Sequence, residues 1–240
     1  MLNATNAVVT TTMEGVSYVK EYIYLRENNE TLAKENAKLR SQLAEAQYDS
    51  ATSRIQVKDS GFFQQYSYMT AKIINNTINH RNNYLTLNKG TLQGVKPEMG
   101  VITSNGVIGI VKQVSPHYCT VMSILHKDIK ISAMISRNKF FGSLTWDGIN
   151  PHYATLNEID KTVPVQKGDS IVTTSYSKIF PAGIFVGRVS EIRKKPGSNF
   201  QEIIIRLSTR FDNLSNVYIV NNLLKEEQIV IEEGNTQEPK

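Results

Sequence analysis

Residues 22–47 read YIYLRENNETLAKENAKLRSQLAEAQ. Leu25, Leu32 and Leu39 recur every seven residues, and Ala46 continues the series. With these residues at d, the a positions are Tyr22, Asn29, Asn36 and Leu43. A seven-residue apolar repeat keeps one helical seam turned towards a partner, so the stretch predicts a left-handed coiled coil. A buried Asn at a costs stability but bonds its twin across the seam, which favours an in-register parallel dimer. Glu21 and Glu35 fall at g, and Arg26 and Arg40 at the e positions that follow, a spacing that pairs opposite charges between parallel chains. The predicted dimerisation residues are therefore Tyr22, Leu25, Asn29, Leu32, Asn36, Leu39 and Leu43. The competing reading is a single amphipathic helix lying on its own domain, although a narrow stripe containing Asn makes a poor core face.

Outward from this helix the texture changes. Residues 1–15 show no helical stripe and are read as irregular, and the helical segment is assigned to 16–60, ending at Asp59-Ser60-Gly61. Beyond it, short runs rich in Val, Ile, Thr and Tyr alternate with Gly, Asn, Asp and Pro clusters. Strands are predicted at 66–74, 84–88, 107–114, 119–125, 129–135, 141–146, 153–159, 170–174, 184–193, 203–208 and 216–220. Pro97, Pro116, Pro164, Pro181 and Pro196 all fall between runs, as strand interiors require. About eleven strands are too many for one small barrel, so the chain is read as mainly β, an N-terminal coiled coil followed by two small β-barrels or sandwiches. The tail 223–240 is acidic and offers little to pack, which predicts disorder.

The 240 residues carry 27 Lys and Arg against 22 Asp and Glu, a net charge of +5. Removing the tail from Lys225, with its two Lys and five Glu, leaves 25 against 17, or +8, in residues 1–224. That excess is spread along the chain and selects neither nucleic acid nor an anionic surface. Cys119 is the only cysteine, so neither an internal disulfide nor a cysteine-based zinc site can form. No apolar run is long enough to span a membrane, and the opening residues lack the pattern of a signal peptide.

The chemistry of catalysis is poorly represented. The four histidines are His80, His117, His126 and His152, and only His117 and Cys119 are close enough in sequence to share a strand face. Two ligands do not make a metal site, and no cofactor motif is present. A two-barrel β protein invites comparison with serine proteases of the chymotrypsin type, for which Ser175, Asp169 and His152 are the available triad. However, no glycine flanks Ser175, and His152 follows a proline in a predicted loop. The densest basic cluster, Arg193-Lys194-Lys195, reads as a solvated hairpin tip, and no basic segment precedes the heptads, so nucleic acid is not an expected partner.

Two blocks carry a resemblance. The LxxENxxLxxENAxLRxQL-like helix is followed by NNYLTLNKGTLQGVKPEMGVITSNGVIG at 82–109. Further on come Gly168-Asp169-Ser170-Ile171-Val172-Thr173-Thr174-Ser175, then Ile179-Phe180-Pro181-Ala182-Gly183-Ile184 and Gly187-Arg188-Val189. Together, over about residues 16–222, these resemble MreC, the family of bacterial rod-shape-determining proteins. Tyr176 departs from the pattern, standing where the family usually has a glycine after Thr-Ser. The family's N-terminal membrane anchor is missing, so the chain is expected to be the extracytoplasmic part that follows it.

The resemblance implies two six-stranded barrels of chymotrypsin-like form without catalytic function. The first is assigned to 61–118, closed by 196–222, and the second to 119–195. It implies no enzymatic activity and no cofactor. It also implies a scaffold of the cell-elongation machinery on the outer face of the cytoplasmic membrane. Its expected partners are a second copy of the chain, the class B penicillin-binding transpeptidase, RodA, MreD, RodZ and MreB. Gly168, Asp169, Thr174, Ser175, Phe180, Pro181, Gly183 and Gly187 are then structural motif residues, the glycines sitting where turns or close strand crossings exclude a Cβ. Expected partner contacts are the aromatic residues near turns: Phe140, Phe141, Trp146, Tyr176 and Phe180. The alternatives are a two-barrel hydrolase using Ser175 and an adaptor of a membrane-fusion type, which joins a helical hairpin to β-barrels. Only one helical arm is evident here.

Overall fold

The computed structural model describes residues 25, 27–42, 47–49, 62–194 and 196–236. Tyr22, Leu43 and the segment 1–15 lie outside the described residues. The chain order is helix α1 over 27–41, then β1 (Gln47–Asp49), β2 (Phe62–Gln64), β3 (Tyr66–Asn76), β4 (Asn82–Leu87), β5 (Gly100–Ile102) and β6 (Val107–Val114). There follow β7 (Cys119–His126), β8 (Ile131–Ile135), β9 (Phe141–Thr145), β10 (Tyr153–Asp160), β11 (Ser170–Thr173) and β12 (Phe185–Lys194). The last elements are β13 (Phe200–Leu207), β14 (Asn216–Asn222) and helix α2 (Lys225–Thr236).

Twelve of these strands close into two six-stranded barrels, in the orders β14-β3-β4-β7-β6-β5 and β10-β13-β12-β11-β8-β9. Within strands, apolar residues alternate inward with a period of two. Leu85 and Leu87 on β4, and Ile203 and Ile205 on β13, are fully buried while their neighbours turn outward. The chain thus enters the first barrel, leaves after β7 to build the whole of the second, and returns with β14 between β3 and β5.

The structure corrects the division at both boundaries. Cys119–His126 belongs to the first barrel and not the second, because the β6–β7 connection is a tight turn in which Ser115 N–H donates to Tyr118 O at 2.8 Å. A tight turn pairs consecutive strands, so Pro116 marks a hairpin tip and not a domain boundary. Phe200–Leu207 likewise belongs to the second barrel, paired with both β10 and β12, and only β14 returns to the first. β5 was not foreseen: three residues are too few to show an alternation.

Two further corrections fall at the ends. Within 16–60, Gln47–Asp49 is a strand, paired antiparallel with Phe62–Gln64. The heptad has lost its apolar residues there, since the next a and d positions are Ser50 and Ser53. The acidic tail, expected to be disordered, forms α2. Glu226 and Glu227 lie in its first turn, where they favour the positive end of the helix dipole. Three ion pairs tie it down: Glu226 to Lys96 at 2.9 Å, Lys225 to Glu98 at 2.7 Å and Glu232 to Lys178 at 2.5 Å. Lys96 and Glu98 belong to the first barrel and Lys178 to a loop of the second, so α2 touches both.

Candidate functional site

The exposed seam of α1 is the first surface. Leu25, Leu32 and Leu39 are each more than half exposed. Ala37, on another face of the same helix, is buried. With Lys34, Lys38 and Ser41 it lines a shallow cleft against Ser67, Tyr68 and Met69 of β3. The Arg40 guanidinium carbon stands 5.4 Å from the ring centroid of Tyr218 on β14, a cation–π contact. The helix therefore does lie on its own barrel, but through its small residues and Arg40. Arg40 is occupied within its own chain, where the heptad reading had it facing Glu35 of a second chain. The amides of Asn29 and Asn36 turn back to the carbonyls of Leu25 and Leu32, both at 2.9 Å.

The second surface is built by the loop between β11 and β12. Thr173 organises it: its hydroxyl donates to Pro181 O at 2.5 Å and accepts Ile184 N–H at 2.9 Å. Ser177 Oγ accepts the N–H groups of Phe180 and Ile179 at 3.0 and 3.3 Å. Neither residue was singled out in the sequence. Ser177 bonds backbone two and three residues on, a signal common in any turn, whereas the partners of Thr173 lie eight and eleven residues away and leave no local signal. Thr174 is buried and bonds Ser132 Oγ at 2.9 Å. Gly168 and Gly183 take positive φ, 88° and 86°. A Cβ on Gly187 would run into the carbonyl oxygen of Arg206 on β13. Among the described residues, positive φ at non-glycine positions occurs only at Glu98, Lys139 and Glu158, so Tyr176 fills its place without a left-handed backbone.

Of the five aromatic candidates, three are at the surface, two of which meet, and two are buried. Tyr176 is 71% exposed, Phe140 and Phe141 are about half exposed, and the Tyr176 and Phe141 rings stand 5.1 Å apart. Trp146 is buried, its Nε1–H donating to Asn150 O at 2.9 Å. Phe180 is only 1% exposed and packs over Gly100 of the first barrel. Both are core residues, because a strand-end ring beside a small residue has apolar surface to cover and finds it in the barrel.

The hydrolase triad is not assembled. Both oxygens of Asp169 are taken, by Arg137 Nε and Nη2 at 3.0 and 2.9 Å and by Gln166 N–H at 2.9 Å. The Arg137 hydrogen bond, aided by that of Gln166 and opposed by burial, holds the Asp169 carboxyl below the usual carboxylate range. Ser175 and His152 are both exposed, Ser175 in the β11–β12 loop and His152 just before β10. His126 is buried with Nε2 3.0 Å from Tyr84 Oη, and burial pushes the Cys119 thiol up to about 11. Among the described residues no group of three or more His, Cys, Asp or Glu is placed to hold a metal ion. No helix among them is long and apolar enough to cross a membrane.

Comparison with known proteins agrees with this architecture. The MreC of Listeria monocytogenes, a cell shape-determining protein, is 23% identical over 211 residues, covering 87% of this chain and 72% of that protein. The Bacillus subtilis protein is 24% identical over 210 residues, covering 78% and 72%. Among solved structures, MreC from L. monocytogenes superposes with a TM-score of 0.62 at 23% identity, covering 87% of this chain and 94% of that one. MreC from Pseudomonas aeruginosa gives 0.59 at 21% identity, covering 64% and 98%. A complex between the penicillin-binding protein PBP2 and MreC from Helicobacter pylori contains a chain that matches with a TM-score of 0.53 at 20% identity, covering 66% and 99%. The family model of the barrel core of the rod shape-determining protein MreC matches residues 73–221, more than half of the sequence, and the chain belongs to the MreC family.

Proposed function

We propose that this protein is a non-enzymatic scaffold of the bacterial cell-elongation machinery, dimeric through α1 and binding a penicillin-binding transpeptidase through its second barrel. It works on the outer face of the cytoplasmic membrane, with RodA, MreD, RodZ and MreB as further members of the assembly. The observation that carries the reading is the division of labour on α1: one face rests on the first barrel while the leucine seam stays exposed. A helix that has already found its own domain keeps an exposed apolar stripe for a second helix. Each leucine, about half covered already, gains roughly 1 kcal/mol on burial, so six across a dimer give about 6 kcal/mol. That is of the order of the cost of association, which makes pairing concentration-dependent.

The transpeptidase assignment is supported by the PBP2 complex of the H. pylori relative and by the solvent-facing ring pair of Tyr176 and Phe141, with Phe140 exposed next to Phe141 in sequence. Aromatic anchors of this kind dominate interface energetics. Sedimentation equilibrium on the whole chain tests the dimer, and a monomer at tens of micromolar contradicts it. Capture of the purified transpeptidase by wild type and by Tyr176→Ala tests the second barrel.

A further inference from the structure

Arg188 lies in the second motif, yet the scaffold reading gives it no role. The register of β12 and β13 sets it directly opposite Arg206, and the same row runs on to Ser170 on β11 and Tyr153 on β10. Residues directly opposite in a sheet share a face, and both arginines are exposed, so the row lies on the outside of the second barrel. The two strands come close here because Gly187 has no Cβ to meet the Arg206 carbonyl.

Arg188 is fixed in place without being neutralised. Its Nη1 donates to Gly168 O and to Ser170 Oγ, both at 3.1 Å, and its guanidinium carbon stands 5.6 Å from the Phe185 ring centroid. All three partners are uncharged. The Arg206 side chain makes no hydrogen bond or ion pair with any of the described residues. Other arginines of this barrel and its return segment differ: Arg137, Arg193 and Arg210 each hold a carboxylate at 2.9 Å. Like charges directly opposite in a sheet are destabilising. The barrel therefore carries a guanidinium pair that its own fold does not balance.

We propose that the Arg188–Arg206 row docks a carboxylate-bearing segment of a partner protein, an acidic peptide laid across β12 and β13. Two guanidinium groups carried on one face of adjacent strands can each take a planar carboxylate of the same peptide bidentately. The Phe185 and Tyr153 rings beside them supply apolar surface that a peptide uses and a bare phosphate polymer does not. The proposal rests on the scaffold reading only in requiring that a protein partner exists.

The test is an NMR titration of the full chain, observing arginine side-chain resonances at physiological salt, with capped hexaglutamate and separately with polyphosphate. Hexaglutamate is expected to shift Arg188 and Arg206 with saturation, and Arg206→Gln to weaken that response roughly tenfold, the loss of one charged hydrogen-bonding partner. Arg206→Glu is expected to pair with Arg188, abolish peptide binding and raise Tm. Absence of a saturable shift overturns the proposal. So does an equal response at scattered lysines, a preference for polyphosphate, or a lower Tm for Arg206→Glu. Sedimentation and transpeptidase capture with the same variants report separately on the scaffold reading, since neither arginine lies on α1 or among the exposed aromatic residues.

Discussion

The ring of Phe180, on a loop of the second barrel, occupies the space where Gly100 of the first barrel would carry a Cβ. A methyl group there would come within 2.6 Å of the ring. Shape complementarity between one large and one absent side chain thus joins the two barrels. Nearby, Asn222 Nδ2 donates to Lys178 O at 3.0 Å, and at the far end of β3 Asn76 Nδ2 donates to Phe211 O at 2.6 Å.

This contact sets the first expectation. Phe180→Ala should destabilise the protein by about 3–5 kcal/mol, the cost of emptying a buried aromatic site. Gly100→Ala should cost about 1–3 kcal/mol by overpacking. Residues in contact are not additive, and in the double variant the new methyl fills part of the hole. Urea denaturation of the three variants should therefore give a combined loss smaller than the sum of the single losses.

The exposed seam gives the second. Leu32→Asp with Leu39→Asp should yield monomers whose barrels remain folded, because burying charge in two layers of a helical pair is costly while α1 keeps its contact through Ala37 and Arg40. Asn29→Val with Asn36→Val should instead raise thermal stability and broaden the distribution of oligomers. Analytical ultracentrifugation and circular dichroism check both.

Tyr176→Ala should leave Tm nearly unchanged, since the ring is largely in water. It should weaken association with the transpeptidase by roughly 1–2 kcal/mol, as expected for an anchor away from the centre of an interface. Calorimetric titration measures the second effect. Equal affinity of mutant and wild type would reduce the ring to a packing partner of Phe141.

Asp169 predicts a pH dependence. Its carboxyl is held below the ordinary 3.8 chiefly by the Arg137 hydrogen bond. The folded state therefore binds this proton less readily than the unfolded state. The stabilisation is present in full above about pH 4 and is lost as pH falls through the lower folded value. Asp169→Asn should lower Tm at pH 7, and its deficit against wild type should shrink steadily in melts taken towards pH 2.5.

Ser175→Ala should change nothing measurable beyond about 1 kcal/mol of local stability, because the side chain is solvent-exposed. Labelling of the wild-type serine by a fluorophosphonate probe, lost in the variant, would refute this.

The sequence by itself determined the parts of this protein that depend on neighbouring residues. Alternation gave β8 and the first half of β10 their inward faces, a seven-residue repeat predicted the stripe Leu25, Leu32, Leu39, and turn residues marked the ends of strands. The motif glycines were legible for the same reason: Gly168 and Gly183 meet a backbone demand that only local geometry imposes.

What only the tertiary structure decided depends on residues far apart in the chain. Cys119–His126 was separated from its hairpin partner because a turn with proline looks the same at a domain boundary and at a hairpin tip. Phe180 and Trp146 were read as surface rings, but burial depends on what packs above them, and for Phe180 that is a glycine 80 positions earlier. α2 was read as disordered because its own residues offer little to pack, while Lys96, Glu98 and Lys178 supply the opposing charges from two other parts of the fold. The cross-strand pair of Arg188 and Arg206 was equally invisible. Which residues face each other in a sheet is fixed by register, and register is set by the closure of the whole barrel.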